Sequence, residues 1–307
     1  MEKRVRLLPS KSTTGLGDRL KSMTLSDLEK HSAKLQSFLD LSKKKLACED
    51  MAEFMREILK LQTWRHILEW ISLLETEKNL LIEASRDHAK SYTLSYAYPL
   101  FRVQRVRDVR EGFRVALMSY SQTQAKDNLQ RIRKEIEDNP WLKWLLPVSK
   151  SSVWDADQLD TSNGCSIRAY GFDSSIRGQH PKLVIVDDPS KDHGTMSVEE
   201  QINIFTGSLI PAARKDAQIV VCGNPIGKKD FLEWLETNKA FTFKKYPVLN
   251  DRGEPLCPEW YSLKDIEAKR AMTPAHKFSC EYMLHRVSAA DATFKEEWIK
   301  YYEPSDI

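Results

Sequence analysis

Residues 79–92 read NLLIEASRDHAKSY, and the fold turns on what they are. Leu80, Leu81 and Ile82 make a short apolar run of the kind that suits a buried strand. A polar loop follows and closes on Lys90-Ser91. The next segment, SYTLSYAYPLF, reads as a helix ending near Pro99. Strand, loop, Lys-Ser and helix are the parts of a phosphate-cradling loop, usually spelled G-x-x-x-x-G-K-[ST]. Here Ala84 and Ala89 occupy the glycine positions. Alanine fits there if the backbone needs no positive φ and the added methyl does not clash. On this reading Ala84, Ser85, Arg86, Asp87, His88, Ala89, Lys90 and Ser91 form a nucleotide loop. Its N–H groups and the helix N-terminus would hold phosphates. Lys90 would reach the β- and γ-phosphates, and the Ser91 hydroxyl would ligate Mg²⁺. The other reading is a plain strand–loop–helix turn that ends in Lys-Ser.

The flanking pattern extends the first reading. Upstream, Met51, Phe54, Ile58, Leu61, Trp64, Leu68 and Ile71 recur at spacings of three or four, which predicts one helix with one apolar face. Before it, Thr24 caps a short helix with Leu25, Leu28, Leu35 and Phe38 on one side, and KKKLACED (43–50) makes a polar break. Downstream, RVALMSYS (114–121) is a second strand. The helix after it opens with the capping-box spacing Ser121/Gln124, carries Ala125, Leu129, Ile132 and Ile136, and stops at Asn139-Pro140. SIRAYGF (166–172), KLVIVDD (182–188) and AQIVVCGNP (217–225) are further strands, and FTFKKYPV (241–248) an edge strand. Apolar strands alternating with helices predict an α/β fold, a mostly parallel sheet covered by helices on both faces. Ligands in such sheets sit at the carboxyl ends of the strands. The loops after Ala84, Val186 and Cys222 share that edge. Beyond Val248 the chain becomes turn-rich and then helical. The predicted organisation is a basic tail and short helix over 1–50, a core over 51–247 and a helical lid or linker over 248–307.

Two more loops carry candidate chemistry. KLVIVDDPS ends an apolar strand on two acids, a Walker B pattern. Asp187 would hold Mg²⁺, and Asp188 would orient or deprotonate an attacking water. Asp188 is one methylene shorter than the commoner Glu, so Glu199 or Glu200 on the following helix stand as alternatives. Two acids that cap the next turn are the plainer explanation. In IVVCGNP, Asn224 would face the γ-phosphate as a sensor, or simply make a Gly-Asn-Pro turn. About 100 residues and a further strand–helix unit separate the Lys-Ser loop from the acids. That leaves room for the extra strand of motor-type P-loop ATPases (the ASCE/RecA-like class).

The bulk numbers bound the rest. The chain has 307 residues, 47 Lys and Arg against 44 Asp and Glu, and a formal charge of +3. The charge is uneven: Met1 to Leu46 and the cluster Arg102, Arg105, Arg107, Arg110 and Arg114 are basic, which suits a polyanion, an acidic protein face or plain solvated surface. Five cysteines without a C-x-x-C pair read as reduced thiols. No apolar run approaches the length of a membrane helix.

Taken together, residues 51–302 resemble the large terminase subunit of tailed double-stranded DNA bacteriophages. LIEASRDHAKSY is similar to that family's variant Walker A, which carries an early Arg, here Arg86. IRGQHPKLVIVDDPS is similar to the Arg-Gly stretch that runs into Walker B, and IVVCGNP takes the place of the coupling motif. The resemblance implies an ATP-driven motor that pumps double-stranded DNA through a portal into a procapsid. ATP and Mg²⁺ are its implied cofactors. Double-stranded DNA, the portal protein, the small terminase subunit and further copies of itself in a ring are its implied partners. Its implied place is the cytoplasm of an infected bacterium, docked transiently on the procapsid. Lys90, Ser91, Asp187 and Asp188 match the Walker positions, Arg86 the γ-phosphate contact and Asn224 the coupling position. Gln62 matches an adenine-side Gln or is an exposed helix residue. A trans-acting Arg is expected among Arg102 to Arg114, Arg131 and Arg133. The family's nuclease domain is expected to be missing from this chain, as a fragment or through separate encoding, and DNA cleavage with it. The competing functions are a helicase-like translocase and a DNA- or portal-binding scaffold with a decayed nucleotide loop.

Overall fold

The structure, a computed structural model, describes residues 25–190 and 196–287. Its centre is a seven-stranded sheet of order β3-β4-β2-β5-β6-β1-β7. The strands are β1 Asn79–Ala84, β2 Arg114–Ser119, β3 Gln158–Asp160, β4 Ser166–Gly171, β5 Leu183–Asp187, β6 Gln218–Gly223 and β7 Thr242–Tyr246. Every pairing is parallel except the short β3 against β4. The expected α/β architecture is therefore the one the chain has.

Period-two alternation explains why both faces are dry. Leu80 and Ile82 of β1, Val115 and Leu117 of β2, and Leu183 and Ile185 of β5 enter one core. Leu81, Ala116, Met118, Val184 and Val186 enter the other. The first core is closed by Ile67, Trp70 and Leu74 of the helix Arg65–Thr76 and by Ala125, Leu129, Ile132 and Ile136 of the helix Gln122–Asp138. Phe205, Leu209, Phe231 and Leu235 close the second. Register aligns the strand ends: Ser119 lies opposite Asp187, Asp187 opposite Cys222, and Glu83 opposite Gly223. The loops after β1, β2, β5 and β6 thus leave from one edge.

Several local expectations are corrected. The apolar spacing over 51–71 does not make one helix. It breaks at Lys60, which takes φ +58°, and resumes at Arg65. Spacing missed the break because Met51, Phe54, Ile58 and Ile71 on its two sides all reach the same core; Leu68, expected on that face, is exposed. The first helix is not stopped by KKKLACED but runs from Leu25 to Ala47. Lysines are good helix formers, and at a C-terminus their charge opposes the helix dipole. Pro99 does not end its helix either. It stands at the start of the α-helical turn Tyr98–Gln104, after the π-helical segment Ser91–Ala97, where a missing N–H is tolerated. β3 and the helix Phe231–Glu236 were not foreseen; both are short. Beyond β7 the helices Leu263–Met272 and Ala275–Glu281 gather on Val248, Ile266, Phe278 and Tyr282. The tail expected over 1–23, the expected cap Thr24 and the residues after 287 lie outside the described residues.

Candidate functional site

The loop after β1 is bent by two residues with positive φ, Asp87 at +64° and Ala89 at +62°. The condition under which alanine was expected to replace glycine therefore holds at Ala84, in the strand, and fails at Ala89. A left-handed alanine costs about 1 kcal/mol or more, and such strain gathers at functional loops. Two buried histidines support the bend. His88 Nδ1–H donates to Arg86 O at 2.8 Å, and His66 Nε2–H to His88 O at 3.3 Å. Burial pushes the His66 ring down to about 4 and lowers His88 as well, so both are neutral at pH 7.

Lys90 lies back along the loop. It is buried, and Nζ donates to Ala84 O at 2.6 Å and to Ser85 O at 3.3 Å. The two acids after β5 have opposite fates. Asp187 is 1% exposed and accepts from Ser95 Oγ at 2.8 Å, Asn128 Nδ2 at 3.3 Å and Cys222 Sγ at 3.3 Å. Its hydroxyl partner is Ser95, one turn beyond the expected Ser91. Asp188 takes φ +48° and lines a cavity. Burial and the neighbouring Asp187 push Asp188 up to about 6, against the pull of Lys90 and Arg86.

That cavity, about 1610 Å³, gathers most of the expected residues; Ala84, Ser85 and His88 are buried outside its lining. Arg86, Asp87, Ala89, Lys90, Ser91 and Asp188 line it, with Asn224 and Gln62 further round. Asp187 supports its floor from behind. Asn224 spends its amide on Ala84 O at 2.9 Å and Glu281 O at 2.8 Å, so its N–H donors hold the loop to the C-terminal helix rather than aim at the cavity. Arg86 is tied the same way: its N–H donates to Glu281 O at 3.0 Å and its guanidinium meets the Glu281 carboxylate at 2.6 Å. Glu199 and Glu200 do not line the cavity; Glu200 closes a capping box on Ser197.

Among the expected arginines, Arg131 lines the cavity, stacked over the Tyr92 ring at 4.5 Å. Arg105 and Arg107 pair with Glu49, Arg110 with Asp108 and Arg133 with Glu137. Arg102 bonds Gln218, and Arg114 the Gln179 carbonyl. Sequence reasoning missed Ser95, Asn128, Glu281 and an aromatic wall of Trp64 and Trp260, whose rings lie 5.3 Å apart. The Trp260 indole also donates to Asp87 O at 3.0 Å. Ser95 had a signal, four residues beyond Ser91 on the same helical face; the others come from distant chain.

No protein-family model matches the chain, and no curated protein matches it. Solved structures do. A variant of the large terminase ATPase domain of Thermus phage P74-26 is 15% identical, with TM-score 0.55, over 76% of this chain and 97% of that one. The unaltered P74-26 domain gives TM-score 0.51 at 15% identity, over 74% and 100%. The HK97 bacteriophage large terminase gives TM-score 0.55 at 14% identity. This chain covers 78% of itself there and 55% of the HK97 chain. The fold is thus the one those phage terminase ATPase domains have, an α/β architecture with a mostly parallel sheet covered by helices on both faces.

Proposed function

We propose that this chain is the ATP-hydrolysing motor domain of a viral large terminase. The observation that carries the reading is the meeting of Lys90, Ser91 and Asp188 in one cavity at the carboxyl edge of a parallel sheet. Asp188 is held there in a left-handed conformation with its carboxyl raised to about 6. Perturbed carboxyls in clefts cluster at functional sites.

The donor set fits Mg²⁺-ATP. Among the described residues no three His, Cys, Asp or Glu cluster as a metal cage. Mg²⁺ commonly takes one or two protein oxygens and leaves its other positions to water and phosphate. Ser91 and Asp188, which line the cavity, would supply those oxygens, with Asp187 buried behind Asp188 on Ser95, Asn128 and Cys222. Bound Mg²⁺ would neutralise negative charge on the phosphates. Lys90 exchanges its carbonyl partners for phosphate oxygens. The loop N–H groups hold the phosphates. Asp188 orients the attacking water and, in its ionised form, takes its proton. Arg86, released from Glu281, swings onto the γ-phosphate. Gln62, Trp64 and Trp260 form the base side of the cavity. Residues 51–247 act as the core, and those from 248 act as the lid, so Arg86 leaving Glu281 would loosen the lid.

The same reading sets the partners. Double-stranded DNA would be gripped through phosphates without sequence preference. A portal protein, a small terminase subunit and further copies of this chain in a ring complete the machine in the infected host's cytoplasm. Among the described residues no helix is long and apolar enough to cross a membrane. The test is ATP turnover and Mg²⁺-ATP affinity of the chain and of Lys90→Ala at high protein concentration. Saturable binding that the substitution abolishes supports the motor. Two proteins that behave alike, neither binding ATP, would sink it.

A further inference from the structure

The helix Leu25–Ala47 is 23 residues long and leaves an apolar stripe uncovered. Leu35 is 63% exposed, Phe38 66%, Leu39 52% and Leu46 72%. Every described side chain from Ser26 to Leu41 is exposed. The opposite side touches the body at the helix's end, where Ala47 is buried and Lys44 lies over the Trp141 ring at 4.8 Å. From Ser32 to Leu46 the apolar members of the stripe, Leu35, Leu39 and Leu46, therefore face away from the fold.

Its spacing is regular. Leu25, Leu28, Ser32, Leu35, Leu39, Ser42 and Leu46 follow one another at intervals of three and four. That is the a/d seam of a heptad repeat, which buries itself by packing against a second helix. Lys44, against the body, falls at the f position directly opposite the seam. Glu29, Gln36 and Lys43 take the e positions, and Phe38 and Lys45 are at g positions.

We infer that this helix pairs with the same helix of a second copy, antiparallel, as a two-fold contact. In antiparallel pairs an a residue meets a d residue, and e meets e. One register satisfies the stripe from Leu28 to Leu46. Leu28 meets Leu46 of the second copy, Ser32 meets Ser42, and Leu35 meets Leu39, so leucine packs on leucine and serine on serine. Glu29 then faces Lys43 of the second copy, twice by symmetry, and the two Phe38 rings meet at the axis. A parallel pair would lose both Glu29–Lys43 contacts. It would also bring six lysines, 43–45 from each copy, to one end, where like charges repel. A two-fold contact closes on itself. It is therefore distinct from the head-to-tail contacts of a ring and does not depend on the nucleotide reading.

The test is the mass of the full chain by light scattering and sedimentation across a wide concentration range, with and without ATP. Wild type and Lys90→Ala should dimerise alike. Leu35→Lys with Leu39→Lys should weaken the dimer about a hundredfold or more while leaving the unfolding transition of the core in place. Glu29→Lys alone and Lys43→Glu alone should each weaken it about tenfold. Mixing those two variants should restore wild-type affinity, because each supplies the charge the other lacks. A wild type that stays monomeric throughout overturns the pairing and leaves the stripe to a different protein. So does a seam variant that dimerises like wild type. Failure of the mixture to recover overturns the antiparallel register.

Discussion

The floor of the cavity and its wall are built on different terms. The floor is the edge where β1, β2, β5 and β6 end, and it rests on two dry cores filled by alternating strand residues. The wall, residues 260–287, rests on the four-residue cluster Val248, Ile266, Phe278 and Tyr282. It reaches the floor through polar clips. Glu281 holds Arg86 and accepts from Asn224, Trp260 donates to Asp87 O, and Arg286 is buried against Glu83 and Asp230. Dry packing is stiff because every displaced atom loses contacts. Ion pairs and single hydrogen bonds can be exchanged for a ligand's oxygens at little net cost. The floor is therefore suited to hold a reacting group still, and the wall to change partners. Two of the wall's clips end on the loop itself, at Arg86 and Asp87.

Asp188 belongs to the floor, and the sharpest break of the comparison is there. Asp188→Asn keeps the shape and removes the proposed proton acceptor. We expect ATP turnover to fall about a hundredfold or more while Mg²⁺-ATP binding persists. On the proposed mechanism the ionised carboxylate is the active form, so turnover should fall as pH drops through about 6, where burial and Asp187 have placed it. A pH profile flat from 5 to 8, or a variant as active as wild type, would assign the water-orienting role elsewhere.

How much of this was legible in the sequence divides along the same line. The parallel strands of the floor, their order of appearance and the residues of its loops follow from local pattern, because apolar runs of five or six residues between helices have few other solutions. The division of labour between Asp187 and Asp188 did not. It depends on a positive φ at Asp188 and on Ser95 and Asn128, which reach Asp187 from elements 92 and 59 residues away. The wall was legible as helices but not as a wall. Nothing near Glu281 in the sequence says that it meets Arg86, 195 residues away. Breaks such as Lys60 were hidden for the opposite reason, since apolar residues on both sides continue toward one core.

The next prediction breaks the wall from behind. Arg286 is 10% exposed at its side chain and faces Glu83, which is fully buried, with Asp230 and Glu236 alongside. Burial already lifts Glu83 to about 7 in spite of Arg286. Arg286→Ala leaves that carboxyl without its cation and should cost about 3–5 kcal/mol at pH 8. The sign follows from the direction of the shift. A carboxyl whose folded pKa lies above its unfolded value binds more protons when folded, so stability falls as pH rises through the window between the two. The variant should therefore be closest to wild type near pH 5 and furthest from it near pH 8, in thermal unfolding at both. An equal loss at the two pH values would mean that Arg286 acts through packing alone.

The smallest effect separates strain from packing within the floor. Ala89 holds φ +62° while its methyl rests against the first core. Ala89→Gly removes the left-handed penalty of about 1 kcal/mol or more, but it adds freedom to the unfolded chain and loses a methyl contact. If strain dominates, the melting temperature should rise by about 1–3 °C. Turnover should then stay unchanged, since the loop already has the conformation glycine would adopt freely. A lower melting temperature would mean the methyl's contact outweighs the strain. In that case alanine stands at the glycine position because the core beneath the loop asks for it, and the unusual spelling belongs to the floor's packing rather than to its chemistry.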